Sequence, residues 1–253
     1  MTTGETGPAP DGIREEIEVT FCIPCLNEAT RVVPTIETVC AAMREVGGSF
    51  EIIVVDDGST DGTAAAVDAF RQRHPELPVR LHRNPHNMGL ARSFVDTAFR
   101  GRGRYYRLIC GDNVESQETL VRILGRKNEA DLIIPYHATL EGKSASRVAI
   151  SNLYTGLVNL LSGYSLHYYN GHPLYRRYHV MRWASYNYGF GFQADLVTML
   201  LDEGATHREI AVDGRHCEKE RGTTPLNLRN FVSTGHTLFD ISLRRVRRMA
   251  FGR

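Results

Sequence analysis

The sequence contains neither GxGxxG nor a GxxxxGK followed by Ser or Thr, which sets aside the dinucleotide fingerprint and the P-loop. No apolar run approaches the ~20 residues that a membrane-spanning helix needs. A net charge of +1 supplies no overall attraction to nucleic acid, so none is expected as a partner. Lysine is scarce, at positions 127, 143 and 219 alone, so 27 of the 30 basic residues are arginine. Coding from a GC-rich genome gives that pattern, and so does a need for arginines that grip phosphate or carboxylate as a fork. The five cysteines are an odd number, and Met1–Gly12 has no basic or apolar segment of a secretory leader. Reduced thiols in a cytoplasmic setting, behind a disordered tail over residues 1–16, are the expectation.

What is present is an alternation of short β-branched runs and amphipathic segments. Strands are expected at Val19–Pro24, Glu51–Val55, Val79–His82, Tyr105–Cys110 and Asp131–Pro135, with helices between them. Pro24 is expected to end the first strand. Such β-α alternation implies an α/β fold with a mostly parallel, doubly wound sheet. After Pro135 the pattern changes to a helix over Ser146–Leu161 and an aromatic, Gly-rich stretch over 163–192. A helix at Ala194–Glu203, a strand at Glu209–Val212 and a long C-terminal helix follow. The expected organisation is one domain over 17–225 and a basic amphipathic helix over 226–253.

The central stretch is Glu51–Thr63, EIIVVDDGSTDGT. A buried strand there ends in two carboxylates, Asp56 and Asp57, then Gly58, with Ser59 or Asp61 available to cap the next helix. Three other polar clusters also fall at strand exits: Pro24, Asn27 and Glu28; Asn84–Ser93, which contains Gly89; and Gly111-Asp112-Asn113 with Glu115. Ligands of open parallel sheets sit beyond the carboxyl ends of the strands, so all four clusters should face one crevice. Cys22-Ile23-Pro24-Cys25 lies at a strand end, whereas a redox CxxC opens a helix, and no second pair completes a zinc site. The DGSTDG string lacks both the entering helix and the bidentate Glu of a calcium loop.

The series PCLNE, VVDDGSTDGT, N-x-GLA and an aspartate after strand four resembles the family 2 glycosyltransferases with the GT-A (Rossmann-like) fold. Ser146–Gly163, NGHPLYRR, YGFGFQADL and ERGTT are similar to segments of its dolichol-phosphate mannosyltransferase-like members. The resemblance implies a hexosyltransferase that uses a GDP- or UDP-linked sugar, usually inverts the anomeric centre, and acts on a polyprenyl or other lipid phosphate. Pro24, Leu26, Asn27, Glu28, Asp56, Asp57 and Gly89 would bind the nucleotide. Asp112, helped by Asn113 or Glu115, would hold Mg2+ or Mn2+ against the diphosphate. Arg147, Lys219 and Arg221 would bind phosphate. Asp195 would serve as general base for a hydroxyl acceptor, or orient the sugar; with Asp112 and Arg147 it completes the expected catalytic set. Cys110 stands where the family's metal motif has its first aspartate, and His172 stands where its SGF segment has Phe. Two other readings fit the same residues: a nucleotide-sugar-binding protein with weak catalysis, and a transferase to a soluble acceptor.

At about 100° per residue, Leu238, Phe239, Leu243, Val246, Met249 and Ala250 fall on one arc of the last helix. Arg244, Arg245, Arg247 and Arg248 fall on the other, and no acid follows Asp240. Such a helix either lies on an anionic membrane surface, making the protein peripheral, or packs its apolar arc on the domain or on a second copy.

Overall fold

The structure is a computed structural model. It describes residues 17–137, 145–183, 189, 191–213 and 228–252, without the side chains of 145, 147, 228, 229 and 231. The tail over 1–16, the side chain of Arg147, Lys219, Arg221 and the ERGTT segment therefore lie outside the described residues.

Fifteen elements are described. In order they are β1 (Val19–Cys25), α1 (Val32–Val46), β2 (Phe50–Asp56), α2 (Thr63–Arg73), β3 (Val79–Arg83), α3 (Leu90–Arg100), β4 (Tyr105–Leu108) and α4 (Gln117–Leu124). β5 (Leu132–His137), α5 (Ala145–Ser162), β6 (Leu174–Arg176), α6 (Arg177–Met181), α7 (Phe192–Asp202), β7 (His207–Val212) and α8 (Leu228–Phe251) complete the series. The strands form one seven-stranded sheet in the order β3-β2-β1-β4-β6-β5-β7. β1, β2, β3 and β4 are parallel, as are β5 and β7, while β6 runs antiparallel to both its neighbours.

Side-chain alternation in the strands builds two cores, one on each face of the sheet. Phe21 and Ile23 of β1 meet Ile36 and Val39 of α1, Phe70 of α2 and Ile123 of α4. Cys22, Ile53 and Val55 meet Phe94 of α3, Val158 of α5, Leu196 of α7 and Ile241 of α8. The aromatic stretch joins this second core, where Tyr169, Tyr175, Trp183 and Phe192 are buried.

Two local expectations are corrected. Pro24 does not end β1 but lies inside it, opposite Val55 of β2. Pairing of β1 with β4 has already stopped at Cys22, so the N–H that proline lacks has no ladder to complete on that side. Pro24 is also buried. The second correction concerns β6, which carries three residues and is inserted between β4 and β5. Three residues are too few for alternation to show in a sequence.

The C-terminal helix is turned opposite to a helix that packs by its apolar arc. Thr237 and Ile241 face the body, and so do Arg244, Arg245 and Arg248. Arg244 pairs with Asp195 and Asp202, and Arg248 pairs with Asp202 and donates to the Ser162 carbonyl. Phe239, Leu243, Val246 and Met249 are exposed.

Near the amino end of β2, Glu51 is almost fully buried, at 1% exposure. Its carboxylate accepts from Thr20 Oγ1 at 2.7 Å and from the Arg102 N–H at 2.5 Å, and pairs with Arg80 at 2.7 Å. Burial alone would raise its pKa, but the Arg102 and Thr20 hydrogen bonds and the charges of Arg80 and Arg102 outweigh it and bring the carboxyl below its ordinary value. A depressed carboxyl contributes stability above its unfolded pKa, about 4.3, and that stability is lost as pH falls through the lower folded value. Urea midpoints measured from pH 7 to pH 3 should therefore fall more steeply in the wild type than in Glu51→Gln. The variant should itself be less stable at pH 7 by ~1–3 kcal/mol.

Candidate functional site

The loops leaving β1 and β2 are joined by side-chain-to-backbone hydrogen bonds. Asn27, in the left-handed region at φ 59°, donates its N–H to Ser59 Oγ at 3.0 Å and accepts from the Thr60 N–H at 2.9 Å. Asp61 accepts from Ala29 N–H through one oxygen and from Thr63 N–H through the other, both at 3.0 Å. Thr63 Oγ1 in turn accepts from the Glu28 N–H at 2.9 Å. Gly62, at φ 90°, occupies the first cap position of α2, so Asp61 satisfies the helix start from one residue earlier.

Asp57 ties the β2 loop to the β3–α3 loop. Oδ1 accepts from Asn84 Nδ2 at 2.6 Å and from the Met88 N–H at 2.9 Å, and Oδ2 accepts from the Gly89 N–H at 2.9 Å. Asp57 is 5% exposed, so its carboxylate is used within the protein. Asp57 and Gly89, both expected at the nucleotide, are joined to each other by this bond. Gly58 makes the close approach possible, because a Cβ there would lie 2.8 Å from both His86 C and Asn87 N. Asp56 accepts from the Ser59 N–H at 3.0 Å and is also buried.

The β4 loop closes the circuit. The Gly111 N–H donates to Pro24 O at 3.3 Å, and a Cβ on Gly111 would strike Cys25 Sγ at 2.4 Å. Asp112 next to it accepts a long 3.4 Å bond from the Val114 N–H. Burial raises the Glu28 carboxyl, Arg31 partly offsets this, and Asp112 and Asp61 add to the rise, so Glu28 and Asp112 feel each other's charge. Asp112 lines a cavity of about 170 Å³ with Cys110, Glu115, His137, Asn170, His172 and Asp213. The cavity lies on the β5–β7 side of Asp112, and the Glu28 and Asp57 loops lie on the β1–β3 side.

Three neighbours settle what this cavity can hold. Glu115 receives both terminal nitrogens of the fully buried Arg107, at 2.8 and 2.5 Å, so it is committed to a fork. Asn113 accepts from Thr38 Oγ1 of α1 at 3.1 Å and is exposed. Of the two residues expected to help Asp112 with a metal, Glu115 lines the cavity with it and Asn113 is tied to α1. His172, in the left-handed region at φ 49°, is half-buried, and its desolvation lowers the imidazole to about 4, leaving it neutral at pH 7. Its Nε2 lies 3.9 Å from Cys110 Sγ. Among the described residues no three His, Cys, Asp or Glu side chains converge on a closed metal site. Asp112 alone fits a cation that takes most of its shell from phosphate oxygens and water, as Mg2+ does.

Asp195 of α7 is 5% exposed and away from this cavity. Trp183 Nε1 donates to its Oδ2 at 2.9 Å, and Arg244 pairs with its Oδ1. Its carboxylate is thus balanced inside the protein by these two partners. Leu26 is exposed at the β1 exit. Asp61 is the helix cap expected from the sequence, and Thr63, Arg107 and Asn84 are structural members of the site to which no role was assigned there. Of these, Asp61 and Asn84 carried a signal, since both lie inside strings already recognised as motifs.

Replacing Asp57 by Ala should leave Asn84 and the Met88 and Gly89 amides without their acceptor. Hydrogen bonds to a charged acceptor are worth roughly 1.5–3 kcal/mol. The expected result is a loss of about 2–3 kcal/mol in unfolding free energy, with faster hydrogen exchange at Met88 and Gly89 than elsewhere.

Comparison with known proteins gives this geometry a family. A dolichyl-phosphate beta-glucosyltransferase of Trichomonas vaginalis is 31% identical over 138 residues, 50% of this chain and 40% of that protein. A dodecaprenyl-phosphate galacturonate synthase of Rhizobium johnstonii is 28% identical over 159 residues, 61% of this chain and 46% of that protein. The chain thus spans less than half the length of these relatives. Among solved structures, a mannosyltransferase of Pyrobaculum calidifontis in complex with GDP-Man and Mn2+ superposes with a TM-score of 0.59 at 16% identity, covering 97% of this chain and 78% of that one. Glucosyl-3-phosphoglycerate synthase of Mycobacterium tuberculosis, in complex with Mn2+, UDP and glucosyl-3-phosphoglycerate, gives 0.63 at 18%, covering 90% and 80%. These likenesses establish the GT-A fold. The model of "Glycosyl transferase family 2" matches residues 20–181, more than half of the chain, and the chain belongs to that family.

Proposed function

We propose that this family 2 glycosyltransferase moves a hexose from a GDP- or UDP-linked donor to a polyprenyl or related lipid phosphate, with inversion and with Mg2+ or Mn2+. The observation that carries the reading is the linkage of four strand-exit loops into one wall, with Asp112 between that wall and the cavity. A nucleoside diphosphate along the wall would bring its sugar past Asp112 into the cavity. The relatives named above act on dolichyl and dodecaprenyl phosphates, which supports a lipid-phosphate acceptor here.

In the transfer an acceptor oxygen forms a bond to the anomeric carbon from the face opposite the diphosphate. The bond from that carbon to the diphosphate oxygen breaks, and the nucleoside diphosphate leaves with the electron pair. A divalent cation at Asp112, when bound, offsets the charge growing on that leaving group. The linked loops supply a preformed wall, so little reorganisation is needed when the donor binds. Neutral His172 and the Asn170 amide supply hydrogen-bonding groups for sugar hydroxyls. Arg147, Lys219 and Arg221 would add positive charge at the phosphates. A phosphate acceptor is already ionised and needs no general base. Asp195, held by Trp183 and Arg244, then acts by positioning α7, whose Gln193 accepts from the His172 N–H at 3.1 Å.

Cys110 in place of a second carboxylate favours one other reading, a protein that binds nucleotide sugars with little turnover. Release of nucleoside diphosphate, assayed with and without manganese and with a polyprenyl phosphate or a soluble hydroxyl acceptor, separates the two. Asp112→Asn should lower manganese-dependent transfer by about 10²–10³-fold, the scale of losing one charge-stabilising group. Unchanged turnover in that variant would remove Asp112 from the reaction.

A further inference from the structure

We propose that the outer faces of α5 and α8 together form a docking surface for an anionic lipid bilayer. The two helices pack against each other, and Arg245 and Arg248 of α8 donate to the Ser162 carbonyl at the end of α5. Their outward rows therefore lie side by side. On α5 the row is Leu153, Leu157 and Leu160, with Leu160 76% exposed. On α8 it is Phe239, Val246 and Met249, with Met249 66% exposed. Single exposed apolar residues are ordinary, but adjoining rows on two helices make a contiguous patch of the kind that marks an interaction site.

Charge identifies the occupant. From Val148 to Ser162 α5 has no charged residue, and after Asp240 α8 has no acid. Arg244 and Arg248 are spent inward on Asp195 and Asp202. Arg245 also turns inward, to a neutral carbonyl, while Arg247 is exposed and places positive charge beside the patch. An anionic bilayer interface matches both properties, with negative headgroups over an apolar layer. A second copy of the same face would meet the exposed Arg247 with a cation of its own, and the one acid of α8, Asp240, is already paired with His236. Among the described residues no helix is long and apolar enough to cross a membrane, so the contact is with the surface of the bilayer. The inference deepens the proposed lipid acceptor, because it brings the site to the membrane in which such an acceptor is embedded.

The test is flotation of the full chain with phosphatidylcholine vesicles and with vesicles containing phosphatidylglycerol. Thermal shift with a nucleoside diphosphate and manganese serves as an independent readout of the donor site. Wild type should float with the anionic vesicles. L153S/L160S/M249S should lose that partitioning by about tenfold or more while keeping its nucleotide-induced shift. Arg247→Glu should lose mainly the preference for anionic vesicles. Equal flotation of wild type and the triple variant would overturn the proposal. So would a lipid-free dimer of the wild type that the triple variant turns into a monomer, since a second copy would then own the surface. Vesicle binding without sugar transfer to an embedded polyprenyl phosphate would support the surface and defeat the acceptor reading alone.

Discussion

One carboxylate with three N–H donors organises the strand-exit loops of this protein. Asp57 accepts from the Asn84 side chain and from the Met88 and Gly89 amides, and so fixes a loop that has little core of its own. A buried charge is tolerable only when its hydrogen-bonding capacity is met, and here the backbone meets it. Gly58 lets the two loops touch, and Asp61 and Asn27 extend the same logic to the β1 exit. Much of the acidic character of the DDGSTD string is thus spent on architecture. What it leaves for a ligand is the wall it holds in place.

The opposite side of the molecule is built on the same economy with the signs reversed. Arg244 and Arg248 leave α8 toward Asp195 and Asp202 of α7, with Tyr164 also in contact with Arg248. Half-buried ion pairs cost desolvation, and they persist where several hydrogen bonds act together. Here the Arg244 guanidinium also donates to Thr198, and Trp183 completes the shell of Asp195. The helix is thereby attached largely by its cations, which is why Phe239, Leu243, Val246 and Met249 are left facing outward.

Much of the fold was legible because β-branched runs at Ile52–Val55 and similar stretches alternate with helices of clear period. The strand-exit rule then brought the clusters at Glu28, Asp57 and Asp112 to one edge. What the sequence concealed was which way each polar group turns. A carboxylate that binds ribose and one that caps a neighbouring loop have the same spacing from the strand, so Asp57 could not be assigned. Glu115 looked free because its partner, Arg107, sits in the middle of a strand where a charge is unexpected. The arginines of α8 looked solvated because an amphipathic pattern does not say which arc faces the protein.

The short antiparallel strand β6 has a bearing on how this chain is made. β4 and β5 follow one another in sequence, yet they are joined in the sheet only through Leu174–Arg176. During synthesis β1 to β4 can assemble on their own, whereas β5 has no place beside them until residue 176 has emerged. For that interval the far side of β4 is an open edge, with Tyr105 and Tyr106 awaiting cover. Nascent chains halted between residues 137 and 174 would therefore carry the greatest demand for a chaperone.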